Sequence, residues 1–353
     1  MNKCLCVICM VLLISCTAQD SVDGAINSPQ PDKGQSAKSY IIPEAKVAIY
    51  RERLKKTADQ ASSEKNTDKK NAAKRKAQNK ENKNRKTRKR AVADYSQYKS
   101  PQGDDCVQHE DYFRCWYIHV PDNLTAKVPL LLDLHGFTSS AAGQRSISGF
   151  AHLADRDKFI VVWPDGLHHS WNAGSSCCGQ SVADNIDDVG FLRKLIDRVS
   201  NQQSIDQSRI YITGISNGSA MSQRFVSEAS DIVAASASLA LYLLVPPGED
   251  YTPVPLMEIH GSLDRVVNWD GSDYFPSAME NLEAWRTMNG CKGEAEESWR
   301  EGSHYALTYN RCSNGAEITL VRIDQGGHVI YPQFGANIDT PQMAWDFMKR
   351  FSK

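Results

Sequence analysis

Short apolar runs alternate with amphipathic stretches over most of the chain from about residue 111 onward. Val128–Leu134 is an almost unbroken apolar run, and Phe159–Trp163 is another, as expected for strands that are buried on both faces. Asp184–Val199 instead has apolar residues at helical spacing. The same patterns predict further strands at Tyr112–Val120, Ile210–Thr213, Ile232–Leu239, Pro255–Ile259 and Ala316–Ile323, and further helices at Asn217–Ala229, Phe275–Met288 and Thr340–Phe351. Strands that alternate with helices indicate an α/β fold with a mostly parallel sheet covered on both faces.

The start of the chain has the features of an export signal. Lys3 precedes an apolar run from Cys4 to Ile14, which is shorter than the ~20 residues needed to span a bilayer. The run ends in Leu13-Ile14-Ser15-Cys16, which resembles a bacterial lipobox, with ordinary cleavage after Ala18 as the alternative. We therefore predict a signal peptide over residues 1–15 and lipidation of Cys16. The protein would be exported and held at the cell surface or outer membrane by this lipid anchor, or else secreted.

Charge divides the rest of the chain into a basic linker and an acidic body. Residues 51–90 hold 17 Lys and Arg against 5 Asp and Glu, whereas the chain from residue 91 onward holds 20 against 33. Large apolar residues are almost absent from 51–90, so this segment cannot bury enough surface to order itself. We predict a disordered linker over residues 16–91 and a catalytic domain over residues 92–353. The linker could instead bind an anionic polymer or lipid, but it has no aromatic residue at 51–90 to stack on bases, so no nucleic-acid partner is expected.

One motif carries nucleophilic chemistry. Gly214-Ile215-Ser216-Asn217-Gly218 has the form G-x-S-x-G and lies between a predicted strand and a predicted helix, which is the context of the nucleophile elbow of α/β-hydrolases. Such a turn is tight and lifts the serine hydroxyl above the edge of the sheet. We therefore predict that Ser216 is a nucleophile in an α/β-hydrolase fold.

An oxyanion hole requires two backbone N–H groups near that serine. Asn217 supplies one because it follows the nucleophile directly. The second is expected from the loop after an earlier strand, where His135-Gly136-Phe137 stands. We predict the N–H of Phe137 as this donor, with Thr138 as the reserve, and a positioning role for a buried His135.

The acid and the histidine of a catalytic triad should follow the serine in that order. Asp264 comes shortly after the strand Pro255–Ile259, with Asp270 and Asp273 as rivals, and His328 follows the last strand after two glycines. The rivals of His328 are His304 and His260. In the predicted mechanism the histidine takes the serine proton, the aspartate fixes its tautomer, and water later releases the acyl group.

Five further motifs in a fixed order make the chain resemble the polyhydroxybutyrate depolymerase/feruloyl esterase group of α/β-hydrolases, from about Tyr112 to Lys353. They are Leu134-His135-Gly136, Trp163-Pro164-Asp165-Gly166, Trp171-Asn172-Ala173-Gly174, Cys177-Cys178-Gly179 and Asp187-Asp188-Val189-Gly190-Phe191. The resemblance implies a serine esterase whose triad is Ser216, Asp264 and His328. It also implies a polymeric ester substrate, most simply feruloyl or acetyl esters of plant xylan. The alternatives are a poly-3-hydroxybutyrate depolymerase and a non-catalytic surface binding protein.

The resemblance also implies a disulfide between Cys291 and Cys312. From the residues alone, a bond between the adjacent Cys177 and Cys178 would carry a strain cost, and Cys106 and Cys115 are plausible partners for them, so the pairing of these four cysteines stays open. The cysteine spacing fits no usual zinc pattern, so we predict neither a metal nor a cofactor. The Asp187-Asp188 pair is expected to cap a helix rather than to bind a cation.

Two tryptophans follow loop starts near the expected cleft, and one position departs from the group. Trp171 and Trp269 could stack on a sugar or phenyl ring, and either could simply be core. Val329-Ile330 stands where relatives often have a tryptophan, which bears on the preference for the leaving group.

Overall fold

A computed structural model of the chain describes residues 103–331 and 338–353. The predicted signal peptide, Cys16 and the basic segment lie outside the described residues. Ten strands form one sheet: β1 Asp105–His109, β2 Tyr112–His119, β3 Val128–Leu134, β4 Ile160–Pro164, β5 Ile205–Ile215, β6 Ala235–Leu239, β7 Leu256–Gly261, β8 Glu296–Glu301, β9 His304–Tyr309 and β10 Ile318–Ile323.

The strand order in the sheet is β1-β2-β4-β3-β5-β6-β7-β10-β9-β8. The six central strands, from β4 to β10 in this order, run parallel. Antiparallel strands extend the sheet on both sides. On one side β2 and then β1 follow β4, and on the other side β9 and then β8 follow β10. Because the carboxyl ends of parallel strands share one edge, the loops that follow β3, β5, β7 and β10 are brought together there.

Seven α-helices accompany the strands within the described residues: α1 Ala141–Ile147, α2 Phe150–Asp157, α3 Gln180–Ala183, α4 Asp188–Gln202, α5 Asn217–Glu228, α6 Ala278–Met288 and α7 Thr340–Met348. Their boundaries follow local sequence signals. Ser277 and Glu280 form a capping box at the start of α6, and the Asp339 side chain caps α7, which has Pro341 in its first turn.

The two faces of the sheet are covered by separate apolar cores. The larger core packs α4, α5 and α6 against one face, with Phe191, Phe225 and Trp285 among its fully buried members. The second core packs α2 and α7 against the other face, where the rings of Phe159 and Trp345 stack at 3.8 Å. This is the α/β fold with helices on both faces that the alternating pattern predicted.

Three cysteine pairs are joined in the structure. Cys106 and Cys115 face each other in register on β1 and β2, and Cys291 and Cys312 connect the end of α6 to the loop before β10. The adjacent Cys177 and Cys178 are also paired. Within the described part of the chain, no helix is long and apolar enough to cross a membrane.

Candidate active site

Ser216 lies at the junction of β5 and α5 in a sharp turn. Its backbone has φ 57° and ψ −124°, a conformation that side-chain-bearing residues rarely adopt. Its N–H donates to the carbonyl of Leu239 at 2.8 Å, which ties the turn to the neighbouring strand. A Cβ at Gly214 would lie 2.6 Å from the backbone of Gly218, and a Cβ at Gly218 would collide with the carbonyl of Leu134. The two glycines of the motif are therefore required by the close approach of three backbone segments.

Asp264 and His328 meet on the same edge of the sheet. Their loops are joined by a hydrogen bond from the N–H of Leu263 to the carbonyl of Gly326, at 2.8 Å. His328 Nδ1 lies 2.7 Å from Asp264 Oδ2, and the carboxylate is buried while the imidazole is half-buried. Asp264 Oδ1 accepts from the N–H groups of Val266 and Val267 at 2.8 and 2.9 Å. Both carboxylate oxygens are thus held, and one of them orients the imidazole.

The electrostatics favour an ionised Asp264. Burial alone would raise the pKa of this carboxyl, but hydrogen bonds to His260 and His328 outweigh burial and hold its pKa well below the usual range. The aspartate therefore keeps its charge at neutral pH and is able to stabilise an imidazolium at His328.

The loop after β3 passes close to Ser216. A Cβ at Gly136 would lie 3.4 Å from the Cβ of Ser216. The N–H of Thr138 donates to the carbonyl of His169 at 2.8 Å, so the reserve oxyanion donor is already engaged and this alternative is wrong for the described structure. Phe137 remains the candidate donor in this loop. Asn217 is the first residue of α5, and the N–H of a residue in this position has no hydrogen-bond acceptor within the helix. Asn217 therefore stays the other candidate oxyanion donor.

His135 is buried beneath this loop in a single tautomer. Its Nε2 accepts from the N–H of Gly166 at 2.9 Å, so the proton is on Nδ1, which lies 2.8 Å from the Gly136 carbonyl. Burial lowers the pKa of His135 to about 4, so the ring is neutral. These two hydrogen bonds hold the loop that carries Phe137.

Trp171 is fully buried, which corrects the expectation that its ring stacks on a substrate. Its backbone N–H and carbonyl are both bonded to the Asn217 side chain, at 2.6 and 3.0 Å, and its indole N–H donates to the carbonyl of His135 at 3.0 Å. Trp171 therefore belongs to the core under the elbow, the second interpretation of this residue. Trp269 is half-buried beside the acid loop, with its ring 6.0 Å from that of His260.

The Asp187-Asp188 pair has two structural roles. The Asp187 side chain caps α4 by accepting from the N–H of Gly190 at 2.9 Å. Asp188 forms a buried ion pair with Arg114 at 2.7 Å and accepts from the N–H of Asn172 at 2.7 Å. Among residues 103–331 and 338–353, no group of three or more His, Cys, Asp or Glu is placed to hold a metal ion.

Sequence reasoning missed two buried charged residues near the site. Arg114 lies under the loop that contains Trp171, and Glu258 lies on β7 beside His260. Glu258 did carry a signal, because it is an acid within the strand Leu-Met-Glu-Ile-His, where a parallel sheet buries every residue.

Comparison with known proteins identifies the relatives of the chain. Feruloyl esterase B of Piromyces equi is 32% identical over 242 residues, which are 64% of this chain and 42% of that protein. Poly(3-hydroxyalkanoate) depolymerase C of Paucimonas lemoignei is 25% identical over 249 residues, which are 62% of this chain and 59% of that protein. The chain is similar in sequence to members of the polyhydroxybutyrate depolymerase/feruloyl esterase group of α/β-hydrolases.

The solved structure of an acetyl xylan esterase from Aspergillus awamori shares the fold of this α/β-hydrolase, with a TM-score of 0.50, 16% identity, and coverage of 67% of this chain and 94% of that one. No protein-family model matches the chain. The chain spans less than two thirds of the length of these two curated relatives.

Proposed function

We propose that the chain is a serine carboxylic ester hydrolase whose triad is Ser216, Asp264 and His328. The observation that carries the proposal is the 2.7 Å contact between His328 Nδ1 and the buried Asp264, on the same sheet edge as a serine held at φ 57°. This arrangement is suited to a histidine that accepts a proton at Nε2 while Nδ1 stays bonded to the acid.

The reaction has two halves. Ser216 Oγ attacks the ester carbonyl carbon while His328 Nε2 takes its proton, and the N–H groups of Phe137 and Asn217 stabilise the tetrahedral oxyanion. His328 then gives this proton to the departing alcohol as the carbon–oxygen bond breaks, which leaves an acyl-enzyme. Water, deprotonated by His328, attacks the acyl group and releases the carboxylic acid and the free serine.

The proposed substrates are feruloyl or acetyl esters of a plant polysaccharide such as xylan. This is supported by similarity to Feruloyl esterase B and to the bifunctional acetylxylan esterase/xylanase XynS20E of Neocallimastix patriciarum, at 27% identity over 243 residues. The similarity to a poly(3-hydroxyalkanoate) depolymerase supports a second candidate, a hydroxyalkanoate polyester. Product analysis on feruloylated xylan, acetylated xylan and hydroxybutyrate oligomers separates the three. Release of hydroxybutyrate alone would replace the first assignment by the second.

Ser216→Ala tests the nucleophile. The variant lacks the attacking oxygen, so hydrolysis of p-nitrophenyl acetate and methyl ferulate should fall at least 10³-fold while the melting temperature stays near that of the wild type. The matched control is Ser146→Ala, because Ser146 is an exposed serine on α1. Unchanged turnover by Ser216→Ala would overturn the assignment.

A non-catalytic binding protein on the same scaffold is the remaining alternative. A fluorophosphonate probe separates it from an esterase, because the probe reacts only with an activated serine. Labelling of the wild type that is lost in Ser216→Ala is expected, whereas no labelling of the folded wild type would favour the binding protein.

We further propose that the enzyme is exported and anchored through a lipid on Cys16, with residues 17–91 as a tether. Cys16 and residues 17–91 lie outside the described residues, and the proposal is supported by the lipobox-like sequence and the basic composition. A chain that starts at Ala91 should hydrolyse methyl ferulate as fast as one that starts at Thr17. A large loss on this small ester would refute the tether, and a loss confined to insoluble anionic polymer would show that the linker binds substrate.

A further inference from the structure

A second histidine lies directly behind the acid of the proposed triad. His260 is on β7, and only 1% of its surface is exposed. Its Nε2 lies 3.4 Å from Asp264 Oδ2 and 2.9 Å from the carbonyl oxygen of Val267. The ring also stacks on Tyr242, with centroids 4.9 Å apart. Burial keeps His260 from reaching a substrate, so it cannot replace His328 as the base, and any effect on the reaction must act through Asp264.

The other side of the His260 ring faces a buried carboxylate. His260 Nδ1 lies 3.5 Å from Glu258 Oε1, and within the described residues neither atom has a hydrogen-bond partner of good geometry. Glu258 Oε2 accepts from the Gln223 side chain at 2.7 Å, and Gln223 in turn accepts from the indole N–H of Trp285 at 2.8 Å. The carboxylate is therefore fixed in place from α5 and α6.

These contacts determine where protons reside. A carbonyl oxygen can only accept, so His260 Nε2 carries a proton, and Nδ1 faces a carboxylate oxygen, which favours a proton there as well. Burial lowers the pKa of His260, but its contacts with Asp264 and Glu258 more than offset burial and raise the pKa to about 9. Burial raises the pKa of Glu258 to about 7. The imidazolium is the form of His260 that this surrounding stabilises.

We propose that His260 is a positioning residue of the site, held as an imidazolium between Glu258 and Asp264, where it shares Asp264 with His328 and offsets part of the charge that Asp264 presents to His328. This inference rests on the proposed esterase function. The groups around His260 come from every element packed near it: Glu258 from β7, Asp264 and Trp269 from the following loop, and Tyr242 from the loop after β6. Arg322 is its register partner on β10, and His328, from the loop after β10, contacts the same Asp264. Of these, Asp264 is the shared partner of both histidines.

The expected consequence is a more basic His328 when the His260 charge is removed. In His260→Gln the amide can still donate to the Val267 carbonyl, but Asp264 then acts on His328 without a competing cation. In the pH profile of kcat/KM for p-nitrophenyl acetate, the acid limb should shift to higher pH by about one unit. His119→Gln is the matched control, because His119 lies on β2 and pairs with Asp155 at the surface. A purely structural role of His260 would lower the melting temperature without moving the limb.

Titration of the imidazole ring protons by nuclear magnetic resonance tests the inference without turnover. In the wild-type chain the His260 ring should remain protonated at pH 7, and in His260→Gln the pH response of the His328 ring protons should move up by about the same one unit relative to the wild type. A His260 ring that loses its proton below pH 7, or an unmoved His328 midpoint in folded His260→Gln, would overturn the proposal. If His260→Gln does not fold, the wild-type titration alone decides. Failure of the esterase function appears separately, as turnover that survives in Ser216→Ala.

Discussion

The buried pair of Arg114 and Asp188 is predicted to hold the loop that supports the elbow. The side chains are at most 1% exposed and lie 2.7 Å apart, and the guanidinium carbon lies 3.9 Å from the centroid of the Phe191 ring. The second oxygen of Asp188 holds the N–H of Asn172. In Arg114→Met the side chain keeps most of its length, but the buried carboxylate loses its cation.

The expected loss is large for a single substitution. Removal of one partner from a buried ion pair costs about 3–5 kcal/mol, because the remaining charge is left uncompensated. For a domain of roughly 250 residues each kcal/mol lowers the melting temperature by about 2–4 °C, so Arg114→Met should melt about 6–20 °C below the wild type. Urea unfolding followed by circular dichroism gives the free energy of unfolding, and calorimetry gives the melting temperature.

Two further variants test the reasoning. In Arg114→Met/Asp188→Asn no charge is left buried, and the new amide oxygen can still accept from Asn172, so most of the lost stability should return. Arg209→Met removes a partly exposed ion pair at the same 2.7 Å and should cost less than about 1 kcal/mol. A loss below about 1 kcal/mol in Arg114→Met, or a double variant no more stable than the single one, would refute the argument.

Two other predictions follow from the described structure. Burial raises the pKa of Asp133 from 3.8 to about 7, so the stability that this carboxyl contributes is present below its unfolded pKa and is lost as the pH rises through about 7. Asp133→Asn, in which the unpaired Gln144 Oε1 can accept from the new amide, should therefore gain melting temperature relative to the wild type as the pH rises from about 4 to about 7, and the gain should stay level above pH 7. A difference that is independent of pH between pH 4 and pH 7 would contradict this. Gly218→Ala places a Cβ against the Leu134 carbonyl and should abolish fluorophosphonate labelling, whereas Gly327→Ala meets nothing within 4 Å and should melt near the wild-type temperature.

Hydrophobic patterns predicted the centre of the sheet better than its sides. The strand Val128–Leu134 has the predicted bounds, because a strand covered on both faces is apolar throughout and stands out from its surroundings. The hairpin of β8 and β9 was not predicted, since β8 reads Glu-Glu-Ser-Trp-Arg-Glu and most of it is exposed. A strand that is exposed to solvent on one or both faces carries a weak hydrophobic pattern. The strand with which it pairs is determined by residues that are distant in the sequence.

The parts of the site that could be predicted are those whose residues follow strands in a fixed order along the chain. The turn around Ser216 and the loops of Asp264 and His328 follow strands in a recognisable sequence, so their approach could be inferred without coordinates. The pairing of Arg114 with Asp188 joins residues 74 positions apart, and the burial of Trp171 depends on the Asn217 side chain. Such contacts depend on the packing of separate elements, which local sequence does not specify.

The charge on β8 has a consequence for how the sheet ends. An outermost strand presents unpaired N–H and C=O groups, to which a strand from another molecule could add. Four of the six residues of β8 are charged, so an incoming strand would have to strip water from carboxylates and a guanidinium before it could pair. The charge that hides β8 from a hydrophobic pattern also discourages other chains from extending the sheet, and the protein is thereby protected against strand-to-strand aggregation at this side.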